Sequence, residues 1–212
     1  MRIGIIGAGN VGRALGRAWL AGGHDARWGV PQPGDPKYAD LGGERLGSPA
    51  AAAQAAEAIV LATPWPATES AVRSLGTVAG KILIDCTNPL VQSTTGQGAE
   101  GLTLALGHTV SGGELVARWA AGAAVFKTLN QTGAENMARA REFKERPVMF
   151  VAGDERQKPI VLGLVAELGF DAVDAGPLDR ARLLEPFGML WIDQALMRGA
   201  GRGFAFARLT RS

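Results

Sequence analysis

Three glycines at fixed spacing, in Gly7-Ala8-Gly9-Asn10-Val11-Gly12, follow directly on the apolar run Ile3-Gly4-Ile5-Ile6. Glycine-x-glycine-x-x-glycine between a strand and a helix suits one task, which is holding a diphosphate on main-chain N–H groups at the positive end of the helix. Gly7 permits the tight turn, Gly9 keeps a side chain out of the phosphates' way, and Gly12 lets helix and strand pack closely. The ligand class implied is an anionic dinucleotide, with Ala8, Asn10 and Val11 as the other residues of the cradle.

Ligands of open α/β sheets lie beyond the carboxyl ends of the strands. Besides the glycine loop, those ends read Thr63-Pro64-Trp65-Pro66, Thr87-Asn88-Pro89 and Lys127-Thr128-Leu129-Asn130. Thr63, Pro64 and Trp65 are expected to border the cofactor's ribose. Asn88, beside Pro89, and Asn130 are candidates for positioning the reacting ring. Each also has a plain structural explanation: helix initiation for the prolines, a packed lid for Trp65, an ordinary turn for Asn88-Pro89. Ser111-Gly112-Gly113 opens a helix that either holds an anion or is simply capped by serine. Arg180, Arg182 and Glu185 are expected on a solvated face of the last helix, and Met189, Leu190 and Trp191 in the core or a subunit interface. General acid–base groups are scarce. Tyr38 lies in a proline-rich loop, His24 reads as a surface turn residue, and His108 has no evident carboxylate partner. No cysteine or histidine cluster has metal spacing. Hydride transfer between two bound cofactors needs alignment more than proton transfer, and suits such a site.

The elements that must position these residues alternate along all 212 residues. Strands are expected over 2–6, 25–30, 58–62, 81–85, 123–128, 147–152 and 170–173. Helices are expected over 11–21, 49–56, 67–75 and 112–121. A capping box at Asp154-Glu155-Arg156-Gln157 is expected to open another helix that closes at Gly169. A last helical stretch over 178–197 contains Pro186 and should kink or divide there. This alternation predicts a doubly wound, mostly parallel Rossmann-type α/β sheet with a small helical C-terminal extension. The chain reads as one unit, 1–125 forming the dinucleotide-binding core and 126–212 completing a second-ligand site. The stretch 88–107 is long and polar, the length of loop usually kept for function. The tail, with Phe204 and Phe206 alternating, should add an edge strand or pack on a partner subunit.

Composition narrows the partners. A net charge of +2 does not argue for nucleic acid, and 47% hydrophobic with 20% charged residues is globular. No run of about 18 apolar residues could span a bilayer. The single cysteine, Cys86, forms no internal disulfide, which fits the cytoplasm. The apolar last helix suggests a homodimer. At the end of the second strand, Trp28-Gly29-Val30-Pro31, whose first three residues are expected among the cofactor contacts, holds no carboxylate for ribose hydroxyls, which favours NADP(H) over NAD(H). Arg27 and Lys37 are the nearby cations that could meet a 2′-phosphate, the alternative for both being a solvated surface charge.

Read together, Gly7 to Gly12, Ala62 to Pro66, Ile84 to Leu90, Lys127 to Asn130, Met149 to Asp154, Leu168 to Phe170, Asp174 to Leu178 and Leu183 to Pro186 resemble the NADPH-dependent coenzyme F420 reductase family across nearly the whole chain. The resemblance implies a Rossmann-type fold and hydride transfer between NADP(H) and the 5-deazaflavin F420, both small-molecule cofactors. Three places depart from the family pattern: Pro31 stands where members usually carry arginine, Leu129-Asn130-Gln131 replaces Phe-Asn-Thr, and Asp193 is unusual in being acidic. Two other readings are a non-catalytic NADP(H) sensor and a β-hydroxyacid-dehydrogenase-like reductase of a small carbonyl compound.

Overall fold

The computed structural model describes residues 1–93 and 101–211. Part of the polar stretch expected over 88–107, namely 94–100, therefore lies outside the described residues. Strands β1 (Arg2–Ile6), β2 (Asp25–Gly29), β3 (Leu46–Gly47), β4 (Ala58–Leu61), β5 (Ile82–Asp85) and, further on, β8 (Ala124–Lys127) are mutually parallel. They lie in the order β3-β2-β1-β4-β5-β8. β6 (Leu90–Gln92) and β7 (Leu102–Leu104) form a separate antiparallel pair. β9 (Val148–Gly153) adds antiparallel to β8, and β10 (Asp171–Gly176) adds parallel to β9, completing eight strands.

The helices are α1 (Asn10–Ala21), α2 (Pro49–Ala55), α3 (Trp65–Arg73), α4 (Gly112–Trp119), α5 (Ala134–Met137), α6 (Lys158–Glu167) and α7 (Ala181–Leu196). Continuous apolar runs such as Ala58-Ile59-Val60-Leu61 are what a parallel strand covered on both faces requires. Period-two alternation then sends Ile5, Val60, Ile84 and Phe126 into one core, and Ile6, Leu61, Leu83 and Val125 into the other. β8 crosses the 125/126 division and carries the sheet from the first part of the chain into the second.

Several elements differ from expectation. α6 begins at Lys158, not Asp154. The Asp154 carboxylate accepts from the N–H groups of Arg156 and Gln157 at 3.1 and 3.2 Å, closing a turn, and Pro159 then starts the helix. α7 runs through Pro186 as one continuous helix, preceded by a 3-10 turn at Leu178–Arg180. The tail adds no full strand. It makes one antiparallel bridge, Ala207 to Pro147, and the Val148 N–H donates to the Phe206 carbonyl at 2.8 Å. Its rings pack on their own chain, Phe204 against Trp191 at 5.5 Å and Phe206 against Phe187 at 5.0 Å between centroids.

Candidate nucleotide cleft

The glycine loop has the geometry its spacing predicts. Gly7 adopts φ +105, and a side chain there would meet the Ala62 carbonyl oxygen at 2.5 Å. A Cβ on Gly12 would lie 2.1 Å from the Gly7 carbonyl oxygen, so helix and strand touch through that position. At Gly9 a Cβ would meet no protein atom within 4 Å. The space that Gly9 leaves free opens onto a cleft of about 380 Å³ lined by Gly9, Asn10, Val11, Thr63, Pro64, Trp65, Thr87 and Asn88 among others. Gly9 caps α1 without a side-chain hydrogen bond, so the first N–H groups of the helix stay available to an anion. An open cradle at the N-terminus of a three-turn helix fits a diphosphate.

Arg13 fixes the loop from behind. Its Nε donates to the Ala8 carbonyl at 2.8 Å, another guanidinium nitrogen donates to the Lys37 carbonyl at 2.8 Å, and the group also pairs with Asp40. Arg13 thus ties the main chain of Lys37 to the glycine loop, the Lys37 ammonium pairing with Asp35 at 2.7 Å, while Arg27 leans back toward Asp25 at the start of β2, 3.3 Å away. Trp28 and Val30, expected among the cofactor contacts, are each 1% exposed. The Trp28 indole donates to the Gly12 carbonyl at 2.9 Å, and a Cβ on Gly16 would fall 2.3 Å from its ring. Trp28 is a pillar under the loop, and Gly29 contributes its carbonyl to the Gly7 N–H at 3.0 Å. Pro31 is exposed at that strand's end.

On the other wall, Thr63 Oγ1 lies 3.1 Å from Thr68 Oγ1, and Trp65 opens α3 with its ring 5.7 Å from Trp119. Pro89 is buried. The structure brings Asn88 and Asn130 together, but onto each other. Asn88 Nδ2 donates to the Asn130 carbonyl, and Asn130 Nδ2 to Asn88 Oδ1, both at 2.9 Å. Asn130, 4% exposed, also donates to the Leu184 carbonyl at 3.0 Å. Asn130 therefore ties strand end to α7 and leaves only Asn88 on the cleft. Burial, with Asp85 alongside, pushes the Cys86 thiol well above its ordinary value and makes it inert. His108 is exposed and does not line the cleft.

Beneath this wall lies a buried ionic cluster that the sequence reading did not assemble. Lys127 Nζ, 0% exposed, is 2.9 Å from both Asp85 Oδ2 and Glu185 Oε1, and donates to the Thr87 carbonyl at 2.5 Å. Asp85 Oδ1 accepts from the Thr87 N–H at 2.9 Å and its hydroxyl at 2.7 Å. Glu185, expected on a solvated face, is 2% exposed and accepts from the Gly112 and Gly113 N–H groups at 2.9 and 3.0 Å. The helix start at Ser111-Gly112-Gly113 thus holds an anion, but an internal one, and Ser111 forms a capping box with Glu114. Burial opposes the Lys127 ammonium most strongly, yet the attraction of Asp85 and Glu185 together outweighs it and raises its pKa. A lone lysine inside the apolar strand Ala124-Val125-Phe126-Lys127 was the available signal that acids lay beside it.

The six parallel strands in this order, a bare glycine loop at the first turn and a cleft across the strand ends define a dinucleotide-binding protein of the Rossmann class. Residues 2–89 match the family described as NADP oxidoreductase, coenzyme F420-dependent. A solved structure from Arthrobacter sp. FB24, provisionally assigned as an F420-dependent NADP reductase, is 30% identical over 99% of this chain and 100% of its own, with a TM-score of 0.88. The chain belongs to this family of NADP-dependent oxidoreductases. A hypothetical protein from Sinorhizobium meliloti (24% identity, 84% of this chain and 86% of its own, TM-score 0.65) shares the fold. So does an Aspergillus terreus imine reductase solved with NADPH4 and dibenz[c,e]azepine (17% identity, 93% of this chain and 63% of its own, TM-score 0.66).

Proposed function

We propose that the chain passes a hydride between NADP(H) and coenzyme F420 or a related flavin-type acceptor. One observation carries this: among the described residues, those lining the cleft, Gly9 to Val11, Ala62 to Pro66, Cys86 to Asn88 and Leu90, include no carboxylate, imidazole, phenol or amine, and the lone thiol is inert. A reaction run there relies on alignment. The α1 N-terminus would hold the diphosphate, Thr63 to Trp65 would border the ribose, and Thr87 and Asn88 would face the nicotinamide end. The nicotinamide supplies the hydride or receives it. The 30% identical relative supports F420 as acceptor through its own provisional assignment. Purified protein mixed with NADPH and oxidised F420 should bleach the deazaflavin absorbance; NADPH binding without bleaching removes F420 from the proposal.

Lys37, whose main chain Arg13 ties to the loop and whose ammonium pairs with Asp35, is the proposed partner of the 2′-phosphate, for which it would leave that carboxylate. Pro31→Arg should add a second partner, tightening NADPH about threefold to tenfold relative to NADH. Equal changes for the two carriers in a fluorescence titration would place the phosphate elsewhere. A small imine or carbonyl substrate is the second reading, favoured by the imine reductase fold relatives. Deuterium transfer from labelled NADPH separates both enzymes from a non-catalytic sensor. Within 1–212 we assign 1–125 to the dinucleotide and 126–212 to the second ligand, and place the protein in the cytoplasm as a homodimer. Leu183, Leu190 and Met197, at 63, 48 and 48% exposure and seven residues apart, would form the self-complementary seam along α7. No helix among the described residues is long and apolar enough to cross a membrane.

A further inference from the structure

The Asp85–Lys127–Glu185 cluster sits under the one part of the cleft wall assigned to the reacting ring, and its charges do not cancel. Each hydrogen bond recorded for the two carboxylates comes from a donor: main-chain N–H groups, the Thr87 hydroxyl and the Lys127 ammonium. The formal sum is one negative charge. The N-terminus of α4 offsets roughly half of it. Replacing buried ions by apolar groups of similar size is often neutral or stabilising, so packing alone is a poor reason for three of them here. The cluster grips both the N–H and the carbonyl of Thr87, which lines the cleft.

Hydride departure breaks a C–H bond of the reduced nicotinamide, sends two electrons and a proton to the acceptor, and leaves the ring cationic. The oxidised carrier is therefore the form that a buried negative field favours. We propose that this cluster is a specificity-determining element that strengthens binding of NADP⁺ relative to NADPH and so favours hydride donation by the bound reduced carrier. The proposal rests on the reading that the nicotinamide end lies at Thr87 and Asn88.

Titrating the full chain separately with NADP⁺ and with NADPH, by tryptophan fluorescence, gives the ratio of the two dissociation constants. Glu185→Gln and Asp85→Asn each remove one negative charge and should raise Kd(NADP⁺)/Kd(NADPH) by on the order of threefold or more. Lys127→Met removes the positive charge and should lower the same ratio. Opposite signs identify a field, because a packing defect moves both constants together. Melting curves show whether each variant folds, and the folded ones decide the matter. A wild type that binds both carriers, with a ratio that the folded variants leave unchanged, overturns the inference alone. A wild type that binds neither overturns the cofactor reading beneath it.

Discussion

Gly9 and Gly12 stand three residues apart in one motif, yet substitution should fail at each for opposite reasons. A side chain on Gly9 meets no protein atom, so Gly9→Val should leave the melting temperature within about 2 °C of wild type while abolishing NADPH binding. A Cβ on Gly12 meets a carbonyl oxygen at 2.1 Å, so Gly12→Ala should cost about 2 kcal/mol or more of unfolding free energy. Denaturant melts and a fluorescence titration on both variants test the division; nucleotide binding by the Gly9 variant would refute the cradle. The close packing at Gly12 was legible in the sequence because both partners of that contact, Gly7 and Gly12, lie within one strand, turn and helix. Trp28 was not, since its neighbours Gly12 and Gly16 lie on a helix whose closeness to β2 only folding reveals. Asn88 and Asn130 could be paired to one crevice but not to each other, because a 42-residue separation conceals a mutual hydrogen bond.

Between elements, α4 and α7 are joined by Glu114 and Arg182, which meet at 2.6 Å across 68 residues. The hydrogen bonds from Arg182, followed by those from Ser111, hold the Glu114 carboxyl down at about 2, against an ordinary 4.5. A carboxyl lowered in the fold stabilises it above the unfolded value and loses that contribution as pH falls from about 4.5 toward 2. Glu114→Gln should therefore be less stable than wild type by about 1–2 kcal/mol at pH 7, reduced from the full shift because Arg182 is 36% exposed. The gap should close progressively below pH 4.5, as followed by urea melts; a gap that stays constant to pH 3 would assign the loss to packing. The junction of β8 and β9 was equally hidden. Leu129, the only non-glycine residue with positive φ among those described, turns the chain out of the ladder at φ 56. The Gln131 amide then takes a strand's place, accepting from the Phe150 N–H at 2.9 Å and donating to its carbonyl at 3.0 Å. Propensity and periodicity describe elements, and such side-chain substitutes for a strand leave no periodic trace.

Across the whole molecule, the tail is a structural part of the body it returns to. Asn136 donates to the Phe204 carbonyl at 2.8 Å and the Trp191 indole donates to the same oxygen at 2.9 Å. Removing residues 203–212 should expose Trp191, shift its emission to the red and lower stability by about 2–4 kcal/mol, as judged by fluorescence and thermal melts. An unchanged melting temperature would show that the tail only decorates the surface. The alternation of Phe204 and Phe206 marked the segment as packed, but could not say against what. The same long reach governs the order in which the chain can settle during synthesis. Until the ribosome has passed residue 185, Lys127 and Asp85 can already hold Thr87, but Lys127 lacks its second carboxylate and the bared N–H groups of Gly112 and Gly113 wait without an acceptor. The nascent protein thus carries the residues of its pocket long before α7 emerges to close the start of α4 beneath it.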